Sequence, residues 1–220
     1  MTIKNYISGL DNYVILRPSP DFPNIKSGSD IDLLVEDRNY AEKIIVKNLL
    51  SEVNKGFEVI VSVEKSHTHI DLIKNTSLYI RIDLIDSFIE FKKIKISRSL
   101  SIHILTNKIE KKIGEEIFFF ASPLDDLLIR YIEYIEYFEM LPTKEKHLRY
   151  LYANLPDKEW NSFIDYCYRF IKIIHSTYQD TPSPREQLPV LKFIKKIVSR
   201  LPYPIQKIIK TIYKKIKKWK

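Results

Sequence analysis

From residue 12 to residue 86, apolar side chains recur mostly at the two-residue spacing of strands, interrupted by one stretch at helical spacing. NYVILR (12–17) and IDLLVE (31–36) read as strands joined by a Pro-rich loop, PSPDFPNIKSGS (18–29). Asp37 suits a helix N-cap, and Tyr40, Ile44, Ile45 and Leu49 share a face, which predicts a helix over 38–52. Three further runs have strand character: FEVIVSV (57–63), THIDLI (68–73) and LYIRIDLID (78–86), the last two joined as a hairpin by Lys74-Asn-Thr-Ser77. One helix packed beside a mixed sheet of about five strands is an α+β domain, ending near residue 98.

The pattern then changes period. Over 99–121 only EIFFF (116–120) reads as a strand. Ser122-Pro-Leu-Asp125 places an N-cap before a proline, predicting a helix to about 140 with Leu127, Leu128, Tyr131, Ile132, Ile135 and Phe138 on one face. Helices over about 143–153 and 157–178 follow, and QDTPSPREQLP (179–189) reads as a linker. Beyond it lie two amphipathic segments; in the second, Ile205, Ile208, Ile209, Ile212, Ile216 and Trp219 share one face and lysines take the flanks. The expected organisation is a core over 1–98, a helical region over 99–180 and a linker with a basic amphipathic tail over 181–220.

Charge sharpens that division. The net charge is +8, yet residues 185–220 hold 12 Lys and Arg against one acid, Glu186, which leaves 24 basic and 27 acidic residues before them. The excess is a property of the tail. Basic flanks, an isoleucine face and a terminal Trp suit a lipid headgroup boundary, whereas a nucleic-acid arm gains little from the isoleucines, so residues 190–220 are expected to meet an anionic membrane surface. No apolar run reaches the roughly 20 residues that cross a bilayer. Cys167 alone excludes an internal disulfide, and the first residues lack the apolar core of a secretory signal. The expected location is cytoplasmic, peripheral on the inner face of the cell membrane.

The chemistry concentrates in Gly28-Ser-Asp-Ile-Asp32. Strand alternation puts Asp30 and Asp32 on one side and Ile31 and Leu33 on the other. Two carboxylates held that close repel, and they supply the hard oxygen ligands that a divalent cation sharing its shell with phosphate requires.

A strand, a loop, Gly-Ser-Asp-Ile-Asp-Leu-Leu-Val, a helix and a hairpin carrying a further apolar-Asp-apolar step resemble the nucleotidyltransferase superfamily that includes DNA polymerase β. The resemblance covers about residues 10–90. It implies a nucleotidyltransferase-fold mixed sheet flanked by helices and followed by a helical C-terminal region. It further implies two Mg²⁺ ions, with Mn²⁺ as an alternative, held by Asp30, Asp32 and a third carboxylate. Asp83 in Ile80-Arg-Ile-Asp-Leu84 is preferred as the third, because its strand alternates cleanly, and Asp71 is the second choice. Where the superfamily has a Gly-Ser turn this chain has Pro18-Ser19, and proline has no amide hydrogen to offer. Phosphate contacts are then expected from Arg17, Ser19 and Lys26 or from the Gly28-Ser29 backbone. Tyr13-Val-Ile-Leu-Arg17 followed by a Pro-containing loop resembles nucleotidyltransferase-like proteins associated with bacterial surface polysaccharide synthesis. The implied reaction moves a nucleotidyl or related phospho-group from a nucleoside triphosphate or other activated nucleotide to a hydroxyl acceptor, a glycan or glycolipid. The rivals are a catalytically silent, antitoxin-like binding module and an RNA-directed nucleotidyltransferase.

Other candidates carry a plainer reading. His67 and His69 lack a third metal ligand nearby and read as a polar hairpin edge. Lys144, Lys146, His147 and Arg149 could meet a phosphate or sugar acid but read as a solvated face, and Cys167 reads as packing.

Overall fold

The computed structural model describes residues 3–173, apart from 25, 89–90, 92 and 138–140. The chain divides into two compact units, Met1–Gln179 and Asp180–Lys220, and all described residues belong to the first. The linker and amphipathic tail expected over 181–220, and the membrane contact expected of residues 190–220, lie outside the described residues.

The elements follow as α1 (Ile3–Ile7), β1 (Tyr13–Leu16), β2 (Ser29–Val35), α2 (Arg38–Val53), β3 (Glu58–Val63), β4 (Thr68–Lys74), β5 (Ser77–Ile85) and β6 (Ile94–Ile96). After them come α3 (Ser99–Thr106), β7 (Ile109–Ile113), β8 (Glu116–Phe120), α4 (Pro123–Tyr137), α5 (Glu145–Asn154), α6 (Trp160–Tyr168) and β9 (Ile171–Ile173). The fold is α+β: a mixed seven-stranded sheet in the order β3-β4-β5-β2-β1-β8-β7, flanked by helices, with β6 and β9 forming a separate ribbon. Among the described residues no helix is long and apolar enough to cross a membrane.

Local signals account for the ends of the elements. The Asp37 carboxylate accepts from the Tyr40 amide at 3.0 Å and caps α2. Asn75 and Thr76, at φ 49° and 61°, form the two-residue turn between β4 and β5, whose positive φ values match the strand twist. Ser122 caps α4, its hydroxyl accepting from the Asp125 amide at 3.2 Å and donating to the Asp125 carboxylate at 2.6 Å.

The two faces of the sheet bury different things. On one, Ile15, Leu33, Val35, Ile70, Leu72, Ile80, Ile82 and Leu84 pack under α1 and α2, which contribute Ile3, Tyr6, Ile7, Ala41, Ile45 and Leu49. On the other, Val14, Leu16 and Leu34 pack with α3, α4, α5 and α6 through residues such as Leu100, Ile104, Leu128, Tyr131, Leu148 and Phe163. This second helical layer lies over β1 and β2. On β4 and β5 the residues of matching parity are His69, Asp71, Arg81 and Asp83, so the sheet presents a polar half next to an apolar half.

Two differences from the sequence pattern stand out. The hairpin β7-β8 joins the main sheet beside β1, extending the roughly five strands expected to seven. The helix expected over 157–178 ends at Tyr168, and Ile171, Lys172 and Ile173 pair with Ile96, Lys95 and Ile94. Alternation of branched apolar residues around a lysine suits a strand, and it overrides a helical period that three residues cannot define.

Asp37→Ala removes the α2 cap while leaving the packed face intact. Its expected cost is about 1 kcal/mol, seen as a lower denaturant midpoint with an unchanged slope.

Candidate active site

β2 and β5 run parallel and in register, pairing Asp30 with Arg81 and Asp32 with Asp83. The parallel pairing sets the Asp32 and Asp83 side chains on one face of neighbouring strands. Asp30 stands at the exposed mouth of the site and Asp32 is half-buried behind it. Asp71 is one strand further on, opposite Arg81, which grips it with two bonds of 2.6 Å. Of the two candidates for a third carboxylate, Asp83 is therefore the one beside Asp32, and Asp71 is already neutralised.

Arg17 enters from the end of β1. Leu16 lies opposite Asp32, so the next residue emerges beside that carboxylate. Its backbone is left-handed, at φ 49°, a conformation that costs a non-glycine residue about 1–2 kcal/mol. The turn aims the guanidinium at Asp32, 2.8 Å away, and at Glu133 of α4, 3.2 Å away. Glu133 in turn binds Lys144. An ion chain Asp32–Arg17–Glu133–Lys144 thus links the sheet to the helical layer.

Asp83 accepts a 2.6 Å bond from Nδ1 of His69. This contact depends on an irregularity in the β4-β5 pairing at Leu72/Ile73. Counting back from the Lys74↔Ser77 pair would set His69 opposite Ile82, a buried residue of the other face; the irregularity shifts the register by one and sets it opposite Asp83. His67 stacks on His69 with ring centroids 5.8 Å apart.

The electrostatics follow. Loss of hydration pushes the Asp30 carboxyl up, the Asp83, Asp32 and Asp71 charges add to the rise, and Arg81 opposes it. Asp32 is raised by the same loss of hydration, with Asp83 and Glu133 adding and Arg17 opposing. His69 is raised, chiefly by its bond to Asp83. Glu133 is lowered: burial alone would raise it, but Arg17 and Lys144 outweigh that effect.

The remaining expected ligands divide. Arg17, Ser19, Ser29 and Asp30 line one cavity together with Pro18, Phe22, Pro23 and Asn24. Lys26 turns to Asp21 at 2.6 Å. The Gly28 amide donates to the Tyr79 carbonyl at 2.8 Å and the Ser29 amide to the Lys26 carbonyl at 3.0 Å, so neither amide is free for a phosphate.

The donors implied for a divalent cation fit in kind: three carboxylates on adjoining strands, with the Asp83 charge close enough to raise both Asp30 and Asp32. Their present orientation is divergent, and among the described residues no three His, Cys, Asp or Glu side chains converge as a metal-binding group. Asp32 is turned to Arg17 and Asp83 to His69.

Sequence reasoning passed over Glu133, whose only signal was an acid between two buried apolar neighbours, Ile132 and Tyr134. It also placed Lys144 and His147 on a solvated face. Arg149 does stand exposed, paired with Glu145, whereas Lys144 is half-buried on Glu133 and His147 is 3% exposed with both ring nitrogens unpartnered. Burial, reinforced by the Lys144 and Arg17 charges, pushes the His147 imidazole down to about 3. Comparison with family models, with curated proteins and with solved structures finds no match, so a functional assignment rests on these residues.

His147 generates a pH prediction. Unfolded, it takes a proton near pH 6.5; folded, it does so only near pH 3. The stability it contributes is fully present above the unfolded value and is lost as pH falls toward the folded one, by at most about 1.4 kcal/mol per pH unit. His147→Leu is expected to flatten the dependence of the denaturation midpoint between about pH 6 and 4; an unaltered slope argues against a neutral buried imidazole.

Proposed function

We propose that the protein is a Mg²⁺-dependent nucleotidyltransferase of the polymerase-β-like fold, acting at Asp30, Asp32 and Asp83. The observation that carries the reading is the in-register parallel pair of β2 and β5, which sets Asp32 beside Asp83 with Asp30 one step nearer the mouth. The cavity next to Asp30 is small, about 20 Å³, with Arg17 and Ser19 on its walls, so it offers donors to a phosphate oxygen of a nucleotide whose bulk would lie outside it.

When bound, divalent cations supply Lewis acidity toward the acceptor hydroxyl and the transferring phosphoryl group. Asp30 and Asp32 would hold them, and Asp83 would complete the set. His69 fixes the Asp83 carboxylate through its 2.6 Å bond, so that one carboxylate oxygen remains to face Asp32 or receive the acceptor's proton. Arg17, on the wall of the cavity next to Asp30, would place positive charge beside the donor's phosphates.

A second cleft, of about 260 Å³, shares Ile15 and Pro18 with the phosphate cavity and is lined by Phe120, Asp126, Arg130, Tyr150 and Asn154. Asp126 there is bound by Arg130 at 2.8 Å, with the Tyr150 hydroxyl beside it. A sugar hydroxyl would exchange hydrogen bonds with this cluster of carboxylate, guanidinium and phenol. Together with the resemblance to proteins of surface polysaccharide synthesis, this supports a glycan hydroxyl as acceptor.

A second reading is favoured by one specific observation: Asp32 and Asp83 are both engaged by side chains of the protein itself. A domain that keeps its carboxylates so paired could bind partners without turnover.

The deciding measurement is Mg²⁺-dependent transfer of label from α-labelled nucleoside triphosphates to acceptors in a cell extract. Asp30→Asn, Asp32→Asn and Asp83→Asn are each expected to lose about 100-fold or more. Asp71→Asn, acting one strand away, is expected to lose about 10-fold or less. Equal labelling by all the proteins, or none by the wild type, favours the silent module.

A further inference from the structure

The guanidinium of Arg17 stands where a cation is called for. It is bound at 2.8 Å to Asp32 and at 3.2 Å to Glu133, with its side chain 14% exposed. The same residue lines the cavity that holds Ser19, Ser29 and Asp30. Its Nε is buried and donates to nothing. Arg17 therefore neutralises the site, is reachable from the cavity, and keeps one donor unspent.

We propose that Arg17 is a resident counter-cation, occupying Asp32 in the metal-free protein and exchanged for a divalent ion when a phosphate-bearing ligand enters the cavity. This inference rests on the metal-site reading given above. Charge accounting explains the coupling. A divalent ion arriving alone must compete with a guanidinium already bonded to Asp32, and the displaced cation would have only Glu133 left to pair with. A phosphate arriving alone would meet the Asp30 carboxylate, which no described side chain engages by hydrogen bond or ion pair, on the same cavity wall. Arriving together, the anion accepts from Arg17, including its unspent Nε–H, while the metal takes the carboxylates that Arg17 released. Each ligand thus removes the obstacle to the other, and the coupling is reciprocal. Asp30, which no described residue engages by hydrogen bond or ion pair, remains available to make the first contact with the ion.

The test follows Mn²⁺ binding to the full chain by loss of the free-ion electron paramagnetic resonance signal, with inorganic pyrophosphate as the phosphate probe. Arg17→Gln is expected to bind Mn²⁺ alone at least tenfold more tightly than the wild type, and Asp32→Asn in the same background is expected to remove the gain. Arg17→Lys keeps a charge for the fold but is too short and unforked to span both carboxylates; it is expected to show a smaller gain of the same sign, which serves as the readout if the glutamine variant does not fold. In the wild type, pyrophosphate is expected to strengthen Mn²⁺ binding beyond the affinity of the two ions for each other, and in Arg17→Gln that enhancement is expected to shrink. Wild-type and variant proteins that bind Mn²⁺ equally, through Asp32, overturn the exchange while leaving the metal site standing. Absence of binding in every protein, with or without pyrophosphate, overturns both.

Discussion

The Arg17–Asp32 ion pair is the contact through which fold and site constrain each other. Asp30, Asp32, Asp83 and Glu133 come together from two strands and a helix, and like charges half-removed from water cannot be assembled there without a counter-charge. Arg17 answers that need from a fixed position, since Leu16 is paired opposite Asp32 and the chain turns immediately afterwards. Its left-handed backbone is an expense that two charge-assisted bonds offset. Because Glu133 belongs to α4, the same guanidinium also ties the helical layer to the sheet. A change at Arg17 is therefore felt in the packing as well as in the chemistry.

The site's openness is a consequence of how the sheet is covered. Helices α1 and α2 bury one face with aliphatic side chains from four strands, whereas the second helical layer packs over the β1 and β2 side of the other. The remaining half carries His69, Asp71, Arg81 and Asp83, side chains that an apolar helix could not cover without leaving charges unpaired. Strands hold these groups more firmly than a loop would, and the loop after β1 closes one side with Pro18, Phe22 and Pro23. A rigid charged floor beside a loop-walled cavity follows directly from the alternation of Ile31, Asp32 and Leu33 along one strand.

That alternation is why the core of the site was legible. Asp30, Asp32 and Asp83 share a side within strands whose opposite faces are plainly apolar, and α2 announced itself through Asp37. Strand β7, IEKKI, was not legible, because its three central residues are charged and its place beside β8 depends on pairing rather than on pattern. Glu133 gave no signal because its partner Arg17 is distant in the chain, and Lys144, read as part of a solvated face, gave no sign of its burial because an ion pair leaves no period behind. His69 reads from the sequence as a polar hairpin edge, but β4 lies between β3 and β5 and the ring is half-buried on Asp83; the one-residue register shift that delivers it there arises from the pairing irregularity, and alternation alone predicts the wrong neighbour.

Polar groups elsewhere in the protein show what a purely structural arrangement looks like. Asp71 and Arg81 close on each other with two 2.6 Å bonds, and buried Asp125 accepts from Tyr166 at 2.6 Å and from Ser122 at 2.6 Å. Those acids have met their demand. Around the cavity the pattern is different: no described side chain engages Asp30 by hydrogen bond or ion pair, and the Arg17 Nε–H is buried without an acceptor. Folding selects against open valences in half-buried places unless something else fills them. Buried polar atoms without a hydrogen-bond partner also occur at Tyr6, Tyr13, Arg38, Glu52, Thr68 and His147, so what sets the cavity apart is the exposed Asp30 carboxylate on the same wall as the Arg17 guanidinium, the juxtaposition on which the proposed exchange depends.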